Sequence, residues 1–124
     1  MKTLIIQLWQ TSLDAPQLAA TPFVLAQAAR AMDMVVEMHA LGQSVELFLP
    51  NDPRREQPVA PLNRPLAQYI EEALSMGVRV RLCSTAMRDR GLELREVLGA
   101  EVQIAGMVSM LEAIAQSHTT VLTY

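Results

Sequence analysis

Cysteine is almost absent from this chain: Cys83 is the only one among 124 residues. An internal disulfide is thereby excluded, and so is a zinc site built on a CxxC pair, while a lone thiol suits a reducing, cytoplasmic setting. Any sulfur chemistry at Cys83 has to pass to another molecule. Positive charge is scarce too. Lys and Arg number 10 against 13 Asp and Glu, for a formal net charge of -3 and a pI near 5.3. No basic stripe is left to neutralise phosphates, which argues against a nucleic-acid partner.

Long uncharged apolar runs are also missing. The start, Met1 to Leu8, is too short for a signal peptide and lacks a small-residue cleavage site. The most apolar long segment, Pro22 to Leu41, carries Arg30, Asp33, Glu37 and His39, so it reads as a buried helix and not as a membrane span. No internal repeat or low-complexity tract occurs. Neither GxGxxG nor GxxxxGK[ST] follows any candidate strand, and no cofactor or metal is expected. What is present is ordinary for a soluble globular chain, 51% apolar and 19% charged. At this length a single domain spanning residues 1–124 is expected.

Strand and helix signals alternate along that domain. Leu4 to Trp9 is nearly continuously apolar, as in a parallel strand covered on both faces. Thr21 as N-cap with Pro22 behind it predicts a helix running to Leu41 and stopped by Gly42. Val45 to Leu49 reads as the second strand, ended by Pro50-Asn51-Asp52-Pro53. Asn51 to Pro65 is a long proline-rich loop, and Asn63 is positioned to cap a helix over Pro65 to Met76 closed by Gly77. Val78 to Leu82 is the third strand, followed by a short helix over Ser84 to Arg90 and a helical turn over Glu93 to Leu98. Glu101 to Ile104, a helix from Gly106 to Gln116, and Thr119 to Tyr124 complete the pattern. The implied class is α/β: a three-layer α/β/α fold with a five-stranded parallel sheet and right-handed crossovers.

Ligands of an open parallel sheet bind beyond the carboxyl ends of its strands. This rule gathers Gln10 and Thr11 after the first strand, Asn51 and Asp52 after the second, and Cys83, Ser84 and Thr85 after the third. A thiol where a strand gives way to a helix start is favoured as thiolate by backbone N–H groups and the helix dipole, with Arg88 adding positive potential. Ser84, Thr85, Arg88, Gln10, Thr11 and Asn51 are therefore the candidate lining of a site whose reactive group is Cys83. His39 and His118 each fall shortly before a strand, on the opposite edge, which disfavours a Cys-His hydrolase. Both are expected at the surface. The interval from Cys83 to Arg88 has the length of a rhodanese loop but contains no glycine to turn successive N–H groups onto one anion. The plain alternatives are a buried structural cysteine, solvated or ion-paired Arg88 and Arg90, Asn51 and Asp52 as turn formers, and methionines as core filler. Met32, Met34 and Met38 crowd the long helix, where they could also mark a subunit interface.

The run Gly77-Val78-Arg79-Val80-Arg81-Leu82-Cys83 followed by Arg90-Gly91 resembles the DsrE/DsrF-like sulfur-relay family, of the TusD and YchN types. Gly106, Leu111, Ala115, Val121 and Tyr124 fit the family's closing helix and strand, and Ala40 to Leu49 with Asn51-Asp52 fits its first half more loosely. His118-Thr119-Thr120 departs from it, because many members place an aspartate there. The resemblance implies that Cys83 accepts sulfane sulfur as a persulfide and hands it to a partner thiol. Donor and acceptor proteins are then the partners, with homo-oligomers (commonly trimers or hexamers) or hetero-oligomers. It also implies an alternative, a non-catalytic companion subunit whose Cys83 is inert.

Overall fold

The computed structural model describes residues 1–124. Apolar runs become the strands of a five-stranded, all-parallel sheet with the order β6-β5-β2-β1-β7. β1 is Thr3–Leu8, β2 Val35–Ala40, β5 Arg79–Cys83, β6 Val102–Ala105 and β7 Thr119–Thr123. The helices are α1 (Ala20–Ala31), α2 (Leu66–Ser75), α3 (Ser84–Asp89) and α4 (Met107–Ile114). A two-stranded hairpin, β3 (Pro58–Val59) with β4 (Arg64–Pro65), lies within the proline-rich segment. The α/β class and the five-stranded parallel sheet are as expected from sequence.

Strands β2, β5 and β6 are added successively on one side of β1, and β7 on the other. With right-handed crossovers, only the connection through α4 returns across the second sheet face. The first face presents Leu4, Ile6, Leu8, Val36, Met38, Ala40, Val80 and Leu82, each 5% exposed or less, to a core that includes Phe23, Phe48, Leu66 and Ile70. Helices α1 and α2 pack on each other over this core. The second face is mixed, because its alternate positions include Gln7, Glu37, His39, Arg79 and Arg81.

The second strand is not where the sequence pattern put it. The predicted helix to Leu41 ends ten residues early, at Ala31, and its last part is β2. Met32 caps α1 and Asp33 takes the left-handed conformation (φ 61°), so an aspartate performs the turn normally signalled by glycine. Val36, Met38 and Ala40 are buried between neighbouring strands, and that burial outweighs the helix propensity of the segment. The predicted strand Val45 to Leu49 is instead part of a 3-10 segment, Gly42–Phe48, which Gly42 opens. Thr21 lies inside α1 and Asn63 in the hairpin turn, so neither caps a helix. The three clustered methionines also part company: Met32 is exposed, whereas Met38 is fully buried on β2.

The segment after the 3-10 turn is pinned and does not hang free. Arg55 is buried, its Nε donating to Leu47 O (3.0 Å) and its Nη1 to Pro50 O (3.3 Å). The Tyr69 hydroxyl donates to Val59 O (2.9 Å) and accepts from Leu62 N–H (2.8 Å), fastening the hairpin to α2.

Candidate functional site

Cys83 closes β5 and is the N-cap of α3, with φ -59° and ψ 122°. No side chain caps this helix, so its first-turn N–H groups lack a side-chain acceptor at the end where the sulfur stands. The junction follows from the local sequence: Val78 and Val80 are β-branched and, with Leu82, buried, whereas Ser84-Thr85-Ala86-Met87 has a single β-branched residue, the exposed Thr85. Cys83 stands opposite Ala105 of β6 and is only 2% exposed. Ser84 is half-buried and Thr85 exposed.

Gln10 and Thr11 follow β1 on the same carboxyl edge, but β2 lies between β1 and β5, which separates them from the thiol strand by roughly 10 Å. Gln10 is exposed and its N–H donates to Tyr124 O (3.2 Å). Thr11 is buried, and its carbonyl accepts the Ser44 hydroxyl. Asn51 no longer marks a strand end, since β2 finishes at Ala40. It lines a separate shallow cleft of about 480 Å³ with Leu49, Asp52, Arg95 and Glu96. Arg88 is exposed in the last turn of α3, away from the helix start, and pairs with no carboxylate. Arg90 pairs with Glu46 (3.5 Å) and Asp89 (3.7 Å). Ser84 and Thr85 thus stay with Cys83 in one turn, whereas Gln10, Thr11, Asn51 and Arg88 are dispersed around the edge.

An ion-pair cluster anchors that edge. Arg54 reaches Asp14 (3.0 Å), Glu46 (3.1 Å) and Asp52 (2.8 Å), tying together the segments after β1, β2 and the 3-10 turn. Hydrogen bonds from Arg54 hold the Asp52 carboxyl below its usual range, and Asp52 in turn raises the Arg54 guanidinium. Asp52 also accepts from Arg54 N–H, as a turn former does.

His39 is the residue the sequence reading placed wrongly. Because β2 is Val35–Ala40, His39 lies in the strand beside β5, aligned with Arg81, and it is fully buried. It shares a sheet face with Arg81 and with Cys83 two residues further along β5. The assignment to the far edge and to the surface is therefore overturned, and with it the ground on which a base near Cys83 was discounted. His118, in contrast, is exposed before β7 at the amino edge, with φ 60° and its carbonyl accepting from Thr3 N–H (3.0 Å).

Glu37 organises this face. Its Oε1 is 3.0 Å from both His39 Nε2 and Arg81 Nε. Burial pushes its carboxyl up, but the hydrogen bonds and charges of His39 and Arg81 outweigh that and hold it below the usual carboxylate range. His39 Nδ1 is buried without a partner. The alternation of Glu37 and His39 with Val36, Met38 and Ala40 was the one signal for this strand, and it was masked by the helical character of the residues before it.

An open parallel sheet with helices on its faces and one free thiol at a strand-to-helix junction defines an α/β fold of the open, parallel-sheet class. The chain belongs to the DsrE/DsrF-like family, whose profile matches residues 4–123. It is similar in fold to the ychN protein from E. coli, with a TM-score of 0.69 at 19% identity, covering 100% of this chain and 99% of that one. It is likewise similar to MTH1491 from Methanobacterium thermoautotrophicum, a protein of unknown function (TM-score 0.68, 13% identity, 100% of each chain). A third likeness is BT1422 from Bacteroides thetaiotaomicron (TM-score 0.67, 14% identity, 98% of this chain and 94% of that one). A search of functionally curated proteins finds no match. No helix is long and apolar enough to cross a membrane.

Proposed function

We propose that the protein is a sulfur-relay carrier that accepts sulfane sulfur on Cys83 and passes it to a partner thiol. The observation carrying this reading is the position of Cys83 as N-cap of α3 at the carboxyl end of β5, in a chain of the DsrE/DsrF-like family. A Cys83 thiolate attacks the outer sulfur of a donor persulfide; the new S–S bond forms as the donor thiolate leaves, giving Cys83–SSH. An acceptor thiolate then attacks that outer sulfur and releases the Cys83 thiolate, so no external oxidant or reductant is consumed. The uncapped N–H groups beside Ser84 and Thr85 are available to the sulfur anion. A lone thiol with this role fits a reducing, cytoplasmic compartment.

Incubation with a persulfide donor followed by intact mass spectrometry is expected to add one sulfur atom to the wild-type chain and none to Cys83→Ala. No adduct on the wild type, or an equal adduct on Cys83→Ala, sinks the reading. One observation favours the alternative of a companion subunit with an inert thiol, namely the 2% exposure of Cys83. Thiol titration of the native protein separates the two: labelling of Cys83 before denaturation supports the carrier, and labelling only after it supports the companion.

The carrier is further proposed to act as a homo-oligomer, a trimer or hexamer, with donor and acceptor proteins docking on the assembly. Support comes from α4, which alone crosses the second sheet face and leaves Met107 (51%), Val108 (71%) and Leu111 (62%) exposed. Light scattering is expected to give three or six times the 13.7 kDa chain mass, falling to the single-chain mass for Leu111→Glu. A wild-type monomer would exclude the assembly.

A further inference from the structure

At the amino edge of the sheet, away from Cys83, the structure holds a cleft of about 590 Å³ lined by Arg30, Val35, Arg79, Arg81, Glu101 and Gln103 among others. Its volume is in the range of small-molecule sites. On β5, Arg79 stands four residues and Arg81 two residues before Cys83, about 13 Å and about 7 Å along the strand, so the cleft opens at the amino end of a strand whose other end carries the thiol.

Its charge is unusual for this chain. Five arginines, Arg54, Arg64, Arg81, Arg90 and Arg95, pair with carboxylates. Four do not, and two of those four, Arg30 and Arg79, face this one cleft. Three guanidinium groups thus meet a single lining carboxylate, Glu101, in a protein whose net charge is -3.

Arg30 is also held in place. Its Nε donates to Met76 O and its Nη1 to Met34 O, both at 2.8 Å, so it is fixed by carbonyls that do not neutralise it. Gly77 makes room for it: with φ 92°, its backbone lies where a Cβ would stand 3.4 Å from Arg30 Nη2. Arg30 Nη2 donates to no protein group, and Arg81 uses only its Nε, toward Glu37. The Arg79 side chain, exposed at the rim, makes no hydrogen bond or ion pair within the chain. Planar guanidinium forks with free N–H groups match the oxygens of a phosphate bidentately. Val35 and Ala100 supply an apolar wall for an organic body, and Gln103 a neutral polar contact.

We propose that this cleft binds a small dianionic organic phosphate, its phosphoryl group held by Arg30, Arg79 and Arg81. The proposal does not depend on the reactivity of Cys83. Calorimetric titration of the intact protein with glycerol 3-phosphate at matched ionic strength is expected to show saturable one-site binding, with inorganic phosphate binding more weakly because it lacks the organic body. Arg79→Gln is expected to weaken affinity at least tenfold, the loss of a charge-assisted contact. Arg88→Gln, which removes another unpaired arginine elsewhere, should leave it unchanged. Arg79 is exposed and unpartnered, so its replacement leaves the fold intact, as a thermal melt will check. Absence of saturable binding, or equal weakening by Arg79→Gln and Arg88→Gln, overturns the site. Equal affinity for glycerol 3-phosphate and inorganic phosphate overturns its assignment to an organic ligand.

Discussion

Replacing Glu37 with alanine is expected to destabilise the fold by about 3 kcal/mol, the upper range for leaving a buried hydrogen-bonding group without its partner, with a smaller part from the half-buried ion pair. For a domain of this size that is a fall in Tm of roughly 10 °C. The carboxylate, 12% exposed, is the shared acceptor of His39 Nε2 and Arg81 Nε. Without it, His39, which is fully buried and already has an unpartnered Nδ1, loses its remaining hydrogen bond. Arg81, 29% exposed, loses its counter-charge but keeps contact with water, so most of the cost falls on the histidine side.

The pH dependence has a definite sign. Glu37 holds its proton less tightly in the folded chain than in the unfolded one, so its contribution is fully present above the ordinary carboxylate value and is lost as pH falls through the folded-state value. The stability gap between wild type and Glu37→Gln, measured by denaturant unfolding, should therefore narrow as pH is lowered from 7 into the acid range. Comparing the two proteins cancels the similar contribution of Asp52, whose carboxyl is also held low. A gap that stays constant or widens with acidification would refute the ion-pair account.

The second large effect is expected from Phe48→Ala, at about 4 kcal/mol. Phe48 and Phe23 are both fully buried, with ring centroids 5.9 Å apart at 64°, an edge-to-face pair. Truncation loses the transfer free energy of the ring and opens a cavity between α1 and the 3-10 segment. It also bears on the site, because that segment packs against α3 and the Phe48 carbonyl accepts from Leu98 N–H (3.0 Å). Loosening it is expected to loosen α3, whose N-cap is Cys83, so the native thiol should label faster. Phe48→Leu, which keeps most of the volume, should cost about 1 kcal/mol and leave labelling near wild type. A loss below 1 kcal/mol for Phe48→Ala, measured by denaturant titration, would show that the ring is not part of the core as described.

Much of the architecture was legible in the sequence because it was punctuated. Gly77 before Val78 and Gly106 before Met107 open elements with regularly spaced apolar residues, and the corresponding strand and helix stand within a residue or two of expectation. The failure lies between Met32 and Phe48. There the helix stop is Asp33 in the left-handed conformation, a role that an aspartate in sequence does not announce. The Val45 to Leu49 alternation that suggested a strand is satisfied by a 3-10 segment burying Val45, Leu47 and Phe48. One displaced strand moved His39 from the surface of one edge to the interior of the sheet.

By itself, the sequence determined an α/β chain with a parallel sheet and a single thiol where a strand passes into a helix, since continuous apolar runs and glycine stops are local properties of the chain. Only the tertiary structure decided the rest. Cys83 is buried within the core cluster at the end of β5, beside Ala105 of β6, and Glu37 meets Arg81 because β2 enters the sheet beside β5. Arg30 and Arg79 share a cleft because the end of α1 is held against Met76 and Gly77, the turn that leads from α2 into β5. Each of these depends on strand neighbours distant along the chain, and sheet order is set by long-range burial and not by any residue's own preference.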